Sequence, residues 1–202
     1  MNTNYVLIDF ENVQPESLQL LTQEHFKVVV FVGASQNCLP FALADSMQQL
    51  GCRAQYVKIS GNGRNALDFH IAYYIGRLVT IEPTARFHVI AKDTGYDPLI
   101  DHLRSQKIPA WRVTSVIDIP SVKAANATSV DERISLVIDK LHRMKDAKPR
   151  NKKTLSSTIG AVFLKQILPD EVEALIQIMV SRGHLKLTDS DQSVSYSLPT
   201  AV

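Results

Sequence analysis

The sequence predicts an α/β protein, in which a three-layer α/β/α sandwich with a parallel sheet is followed by a small, mainly helical domain. In residues 1–120, short β-branched runs alternate with helical patterns, which is typical of βαβ units. In residues 130–202, three helical patterns precede two short strand-like runs. Between them the periodicity fades into Pro, Ser, Ala and Asn. We therefore predict two domains, 1–120 and 130–202, with 121–129 as a linker or a packed connection.

Five strands and four helices are predicted in the first domain. The segments 28–32 and 87–91 are nearly all apolar, as expected for central strands that helices cover on both faces. Right-handed crossovers between parallel strands lead us to expect the strand order 3-2-1-4-5. Tyr73 and Tyr74 are predicted to be core residues, and Trp111 is predicted to pack within an edge strand. The predicted strands are 5–10, 27–33, 54–59, 86–91 and 110–116, and the predicted helices are 15–23, 40–50, 66–79 and 96–105.

The second domain has the order of elements of a winged helix. Helices are predicted at 130–145, 155–168 and 169–182, and the runs 184–188 and 193–197 form a hairpin. Winged helices bind nucleic acids, but they also mediate protein interaction and homodimer formation. Both roles stay open, because a fold does not determine a function.

A basic cluster follows the first predicted helix of this second domain. Its cations suit the phosphates of a nucleic acid, and a solvated basic linker is the alternative. The cluster spans residues 143–153, with six cations and one anion, and its predicted nucleic-acid contacts are Lys148, Arg150, Lys152 and Lys153.

Composition favours a folded protein in a reducing compartment. Hydrophobic residues make up 45% of the chain and charged residues 21%, which is the balance of a protein that buries a core. No run approaches the roughly 18 apolar residues of a membrane-spanning helix, and the chain starts without a basic leader. Cys38 and Cys52 lack metal-ligand spacing and are expected to be reduced thiols. We therefore expect a cytoplasmic protein without a membrane partner.

Acidic residues follow two strands that are neighbours in the predicted sheet. Asp9 and Glu11 come at the end of strand 1, and Asp93 and Asp97 follow strand 4. Asp68 lies in the opening turn of the third helix, at the same edge of the sheet. Because the strand order reverses between strands 1 and 4, this edge is where α/β sheets bind ligands. We expect these carboxylates to converge there.

Convergence of carboxylates requires a positive charge nearby. Two carboxylates about 4 Å apart repel by roughly 4 kcal/mol at an effective dielectric of 20. An all-oxygen site selects Mg²⁺ or Mn²⁺ over zinc, and these ions suit phosphodiester hydrolysis because they activate water and neutralise the leaving oxygen. For Asp68 or Asp97 taken alone, the alternative is an ordinary role in a first helical turn, where an acid complements the helix dipole.

Three segments resemble the acidic motifs of PIN-like nucleases, particularly those of the bacterial PIN-like and NYN branch. They are VLIDFEN at 6–12, NALD at 65–68 and IAKDTGYDPLI at 90–100. The resemblance covers about residues 4–116, and it implies a PIN-like sandwich that hydrolyses RNA with Mg²⁺ or Mn²⁺. The site that it implies is a catalytic, metal-binding quartet of Asp9, Asp68, Asp93 and Asp97, with Glu11 as a further metal ligand and Asn12 as a positioning residue for the substrate.

The spacing of the last two acids departs from the pattern of many relatives. Three residues separate Asp93 from Asp97, so it stays open which of the two binds metal directly. Between them, Thr94 offers a hydroxyl to a substrate phosphate or caps the following helix. Arg64 and Asn65 lie in a Gly-rich segment before the third helix and suit an RNA phosphate, with a plain turn as the alternative.

The resemblance thus implies a metal-dependent ribonuclease that acts on single-stranded RNA. The intact acidic motifs favour the enzyme. The alternative is a non-catalytic RNA-binding or adaptor protein that keeps the fold and the acids but lacks a productive metal geometry.

Overall fold

The computed structural model describes residues 2–163, 167–188 and 193–199. It divides into two compact units, Met1–Val122 and Lys123–Val202. Among the described helices, none combines the length and the apolar character needed to cross a bilayer.

The first unit is built on one five-stranded parallel sheet. Its order is β3-β2-β1-β4-β5, which confirms the predicted order. The central strands are rich in β-branched and aromatic residues, and every residue of β1 is buried. The strands are β1 (Asn4–Asp9), β2 (Phe26–Val32), β3 (Ala54–Lys58), β4 (Arg86–Ile90) and β5 (Ala110–Val113).

Helices cover both faces of this sheet, as the three-layer prediction requires. Alternate residues of each strand point to opposite faces, so Val6 and Leu7 belong to different apolar cores. The first core includes α1 (Phe41–Leu50), and the second includes α2 (Ala66–Ile81) and α3 (Asp97–Ser105). The α/β/α sandwich is confirmed.

The segment 15–23 differs from its prediction as a helix. Only one 3-10 turn, Leu18–Leu21, forms there. Ser17 has φ 64°, which is left-handed and incompatible with an α-helix that continues from Pro15. Leu18 and Leu21 are nevertheless buried. The sequence therefore predicted the buried positions of this segment correctly, but it predicted the wrong backbone conformation.

The segment 121–129, which the sequence predicts as a linker or a packed connection, contains a short helix. This helix, α4 (Pro120–Asn126), buries Val122 in a core of the first unit and Ala124 in the core of the second unit. Residues 120–126 are thus helical, and the division of the chain into two domains with a connection at 121–129 stays a prediction.

The second unit consists of helices and one small antiparallel sheet. A capping box between Ser129 and Glu132 starts α5, and the side chain of Asn151 caps α6. Because of that cap, α6 begins three residues before the predicted start at 155. The elements are α5 (Val130–Arg143), α6 (Lys152–Val162), α7 (Pro169–Ser181), β6 (Leu185–Leu187) and β7 (Val194–Tyr196).

The predicted sequence of three helices and two strands is present in the second unit. β6 and β7 pair antiparallel, with Leu185 opposite Tyr196. The turn predicted between them, 189–192, and the end of the second predicted helix, 164–166, lie outside the described residues. The winged-helix assignment stays a prediction.

Candidate active site at the carboxyl edge of the sheet

Asp9 is the last residue of β1 and the most buried carboxylate at this edge. It is 4% exposed, and both of its side-chain oxygens accept hydrogen bonds. The backbone N–H of Asn12 donates to Oδ1 at 3.0 Å, and the hydroxyl of Tyr96 donates to Oδ2 at 2.9 Å. None of these described contacts comes from a cation. These two hydrogen bonds fix the orientation of the Asp9 carboxylate. Neither of them neutralises its negative charge.

The electrostatics of Asp9 follow from this position. Burial raises the pKa of its carboxyl, and the negative charges of Asp68 and Glu11 raise it further. The hydrogen bonds from Tyr96 and Asn12 lower the pKa of Asp9 but do not reverse the shift. A cation placed here would relieve an existing electrostatic cost.

Tyr96 links two of the predicted site residues. It is 2% exposed, and burial together with the charges of Asp9 and Asp68 raises the pKa of its hydroxyl well above the usual range. Asp68, in the first turn of α2, acts on the same hydroxyl as Asp9 does. The structure therefore brings Asp9, Tyr96 and Asp68 together.

Asn12 connects the tips of β1 and β4. Its side-chain oxygen accepts the backbone N–H groups of Lys92 at 3.0 Å and Asp93 at 3.2 Å. Asn12 was predicted to position the substrate. In the structure its amide oxygen positions the loop that carries Asp93.

Asp93 and Thr94 form the exposed start of the turn after β4. Oδ1 of Asp93 accepts the N–H of Gly95 at 2.9 Å, so Asp93 caps the 3-10 turn Thr94–Tyr96. Thr94 is exposed at the same place. The charge of Asp93 also contributes to raising the pKa of Arg112, which places these two side chains within electrostatic reach.

Asp97 has a different partner from Asp9. The guanidinium of Arg112 donates from Nε to Oδ1 at 2.6 Å and from Nη2 to Oδ2 at 3.2 Å. This two-point hydrogen bonding lowers the pKa of Asp97 and raises that of Arg112. Nη1 of Arg112 also donates to the carbonyl of Ala91 at 3.3 Å. Asp97 therefore already holds a cation supplied by the protein.

Glu11 lies directly over the end of β2. A Cβ atom added to Gly33 would stand 1.6 Å from Oε1 of Glu11, so a side chain at position 33 would displace this carboxylate. Glu11 is otherwise exposed, and its charge reaches Asp9. The glycine leaves the space in which the Glu11 carboxylate rests.

The predicted quartet is only partly assembled. Within residues 2–163, 167–188 and 193–199, no three His, Cys, Asp or Glu side chains form a group that could hold a metal ion. Asp9 and Asp68 meet at Tyr96, Asp93 stands at the neighbouring strand tip, and Asp97 is held by Arg112. The donors fit a hard divalent cation in kind, because they are carboxylates whose charges raise the pKa of a buried member.

Two residues of this site were not found from the sequence. Tyr96 belongs to the motif that contains Asp93 and Asp97, but its burial depends on the 3-10 turn before α3. Arg112 is the one basic residue of β5, opposite Val89 in the register with β4, and that isolated cation was a usable signal.

The predicted phosphate contacts before α2 are exposed. Arg64 and Asn65 lie in the turn that leads into the helix, and Asn65 has a left-handed backbone with φ 63°. Their side chains are therefore accessible at the end of α2 that carries Asp68.

The basic cluster of the second unit divides into engaged and exposed residues. Nζ of Lys152 contacts Oε1 of Glu173 at 2.6 Å, and Nζ of Lys148 donates to the carbonyl of Lys145 at 2.9 Å. Arg150 and Lys153 are exposed. These last two are the more accessible cations of the predicted cluster.

Comparison with known families gives a match that covers the first unit. The sequence profile of the PIN domain matches residues 3–113, which is more than half of the 202-residue chain. A search of curated proteins gives no match. The matched segment includes all five strands of the sheet and every acidic residue of the site described above. The chain therefore belongs to the PIN domain family.

Proposed function

We propose that this chain is a metal-dependent ribonuclease that hydrolyses phosphodiester bonds of single-stranded RNA at the Asp9 site. PIN domains are generally nucleases. The observation that carries the proposal is the environment of Asp9: a buried carboxylate whose pKa is raised by burial and by Asp68 and Glu11, at the reversal point of the sheet.

In this proposal Asp9 and Asp68 hold Mg²⁺ or Mn²⁺, with Glu11 and Asp93 as further oxygen donors. Such an ion, when bound, activates water and neutralises charge on the phosphate. The hydrogen bonds from Tyr96 and Asn12 keep the Asp9 carboxylate in one orientation. Asn12 also fixes the backbone of Asp93.

Asp97 takes a different part from the other three acids of the predicted quartet. We assign it to holding Arg112 at the carboxyl edge, where the guanidinium lies within reach of the Asp93 charge. A phosphate that enters this edge would meet that guanidinium. Arg64, Asn65 and Thr94 complete the proposed substrate contacts, because all three are exposed beside the acids.

The non-catalytic alternative has one observation in its favour. The described part of the chain lacks a group of three metal-ligating side chains, as an RNA-binding or adaptor protein with this fold would. Against it stands the electrostatic cost at Asp9, which a purely structural carboxylate would avoid by pairing, as Asp97 does.

The test is cleavage of end-labelled single-stranded RNA with Mn²⁺, Mg²⁺ or EDTA by the wild type, Asp9→Asn, Asp93→Asn and the control Asp101→Asn. Asp101 lies on α3 with its side chain 79% exposed, and its ion pair with Arg104 spans 3.8 Å. We expect metal-dependent cleavage by the wild type and the control. Asp9→Asn should lower the rate at least about 100-fold, which corresponds to about 2.7 kcal/mol.

Circular dichroism spectra should first show that each variant is folded. Equal cleavage by all four proteins would sink the assignment of the site. If the wild type binds this RNA but no metal supports cleavage, the adaptor function replaces the enzyme.

We further propose that Arg150 and Lys153 of the second unit contact RNA phosphates. Replacing both with Gln should weaken RNA binding and reduce the slope of log K against log salt by about 0.7 for each lost contact. Lys186→Gln is the matched control, since Lys186 is exposed on β6. Lys148 and Lys152 belong to the same predicted patch but are left unchanged, because they make contacts within the fold.

An unchanged affinity and salt slope would instead support a role of the second unit in protein interaction or homodimer formation. Sedimentation of the wild type over a range of concentrations distinguishes these two cases.

A further inference from the structure

The outer face of α2 exposes two aromatic side chains one helical turn apart. Phe69 is 70% exposed and Tyr73 is 64% exposed, whereas Ile71 and Ile75 on the opposite face are completely buried. The sequence predicted Tyr73 as a core residue, and the structure shows that this was wrong. Covering these two rings with a ligand would be favourable, because it removes apolar surface from water.

Phe69 directly follows Asp68, so the first ring of this face belongs to the helical turn that carries a proposed metal ligand. Asp68 acts on the Tyr96 hydroxyl, which donates to Asp9. The backbone of Phe69 therefore lies in the same first turn of α2 as Asp68, and the exposed aromatic face begins at that end of the helix.

The ring of Tyr73 packs against a chain of aromatic side chains that leads into the core. Its ring packs edge-on against Tyr74 with centroids 5.8 Å apart, and Tyr74 packs in the same way against the buried Phe31 at 5.1 Å. The guanidinium carbon of Arg77 lies 5.9 Å from the Tyr74 ring centre. An aromatic side chain held by neighbours loses less conformational freedom when a ligand stacks on it.

Two arginines near this face can contact an anionic partner. Arg64 precedes α2 and is exposed, and Arg77 is exposed on the helix one turn after Tyr73. The exposed face also includes Gly76, where a Cβ atom would meet nothing within 4 Å. A glycine inside a helix costs roughly 1 kcal/mol relative to alanine, and no packing around Gly76 requires it. Gly76 leaves the surface beside Tyr73 open to a ligand.

We propose that Phe69 and Tyr73 form a base-stacking site that receives single-stranded nucleic acid and leads its backbone to Asp9 and Asp68. Stacking on exposed rings beside cations is how proteins bind single strands without reading their sequence, and each base contributes about 1–3 kcal/mol. The exposed Arg64 and Arg77 favour an anionic strand over a protein partner, which is an outcome of the test. This inference rests on the proposed function for the identity of the ligand.

The test measures binding without cleavage, in EDTA. The probe is a single-stranded ten-nucleotide RNA that contains 2-aminopurine and a terminal dye, titrated with wild type, Phe69→Ala, Tyr73→Ala, Phe69→Trp and the control Ile81→Ala. Ile81 is 60% exposed at the other end of α2, about 18 Å from Phe69 by the rise of the helix.

We expect the two alanine variants of the stacking site to bind about 10-fold more weakly and to lose quenching of the 2-aminopurine. Phe69→Trp should retain both signals, because tryptophan stacks at least as well, and Ile81→Ala should match the wild type. A duplex of the same sequence should compete poorly, since its bases are already stacked.

The outcomes separate this inference from the proposed function. Wild-type affinity and quenching in Phe69→Ala and Tyr73→Ala, beside a wild type that cleaves RNA, would overturn the stacking site and leave the nuclease standing. Stacking that depends on both rings, in a protein that never cleaves, would uphold the site and reject the nuclease.

Failure of the wild type to bind the probe would also overturn the inference. So would a dimer that Phe69→Ala and Tyr73→Ala convert to a monomer with unchanged RNA affinity, because the face would then be an interface between copies of the chain.

Discussion

Asp9 and Asp97 lie at the same edge of one sheet, yet their environments are opposite. Asp9 is buried, accepts hydrogen bonds from neutral donors and has a raised pKa. Asp97 is half exposed, shares two hydrogen bonds with Arg112 and has a lowered pKa. In our proposal the carboxylate that is already paired with a cation serves as an anchor, whereas the carboxylate without such a partner binds a cation from solution.

The largest expected difference between Asp9 and Asp97 is their effect on metal-induced stabilisation of the fold. At a free Mn²⁺ concentration of about 100 times Kd, binding to the folded state alone raises the free energy of unfolding by about 2.7 kcal/mol. Asp9→Asn should abolish this stabilisation, and Asp97→Asn should retain most of it. Thermal unfolding of each variant with Mn²⁺ and with EDTA measures the difference. Equal metal stabilisation in both variants would contradict the comparison.

Removal of the Tyr96 hydroxyl should have the next largest effect. Tyr96→Phe keeps the buried ring but leaves Oδ2 of Asp9 without its donor, which should lower the free energy of unfolding at neutral pH by about 1–3 kcal/mol. The same change in an Asp9→Asn background should cost less, because the buried group is then uncharged. A double-mutant cycle by urea unfolding gives the coupling, and a coupling near zero would rule out this role for the hydroxyl.

The pH dependence of the metal-free protein provides a third contrast. Because burial raises the folded-state pKa of Asp9, its contribution to stability is complete below the unfolded-state pKa and is lost as the pH rises through the folded-state pKa. One such group gives a slope of at most about 1.4 kcal/mol per pH unit. Asp9→Asn should flatten this decline above pH ~4. A decline of the same size in the variant would assign it to another group.

Replacement of Asp97 should have the smallest effect on the free energy of unfolding, and this effect should depend on pH in the opposite sense to that of Asp9. Arg112 lowers its folded-state pKa, so the stability that Asp97 contributes is present above the unfolded-state pKa and is lost as the pH falls through the folded-state value. Asp97→Asn should therefore reduce the loss of stability in acid and leave the slope above neutral pH unchanged. Urea unfolding in acid, beside the exposed control Asp101→Asn, checks this expectation. A matching acid slope in wild type and variant would show that the ion pair adds nothing.

The sequence was sufficient for the sheet and for the placement of acids at its edge. Apolar β-branched runs and the rule of right-handed crossovers determine the strand order, and residues that follow parallel strands must meet at one edge. The left-handed backbone conformation of Ser17 could not be predicted, because serine has no preference for that conformation. Periodicity alone also failed at Tyr73, where the exposed face of α2 is aromatic.

The hydrogen-bond partners of the individual aspartates could not be predicted from the sequence, for a different reason. Whether an aspartate meets Tyr96 or Arg112 depends on the register of β5 against β4 and on a 3-10 turn, and both arise only in the folded chain. The pattern of acidic residues predicts where charge collects. It does not predict which charges the protein neutralises by itself.

Trp111 gives the first unit an optical signal of its own. It is the only tryptophan of the chain and lies on β5, next to Arg112. Its ring stacks on the buried His88 with centroids 5.2 Å apart, and burial lowers the pKa of His88 to about 3, so the imidazole stays neutral at ordinary pH. Tryptophan emission therefore follows the melting of the PIN domain alone, while far-ultraviolet dichroism follows both units. Any gap between the two curves would show that the units unfold separately.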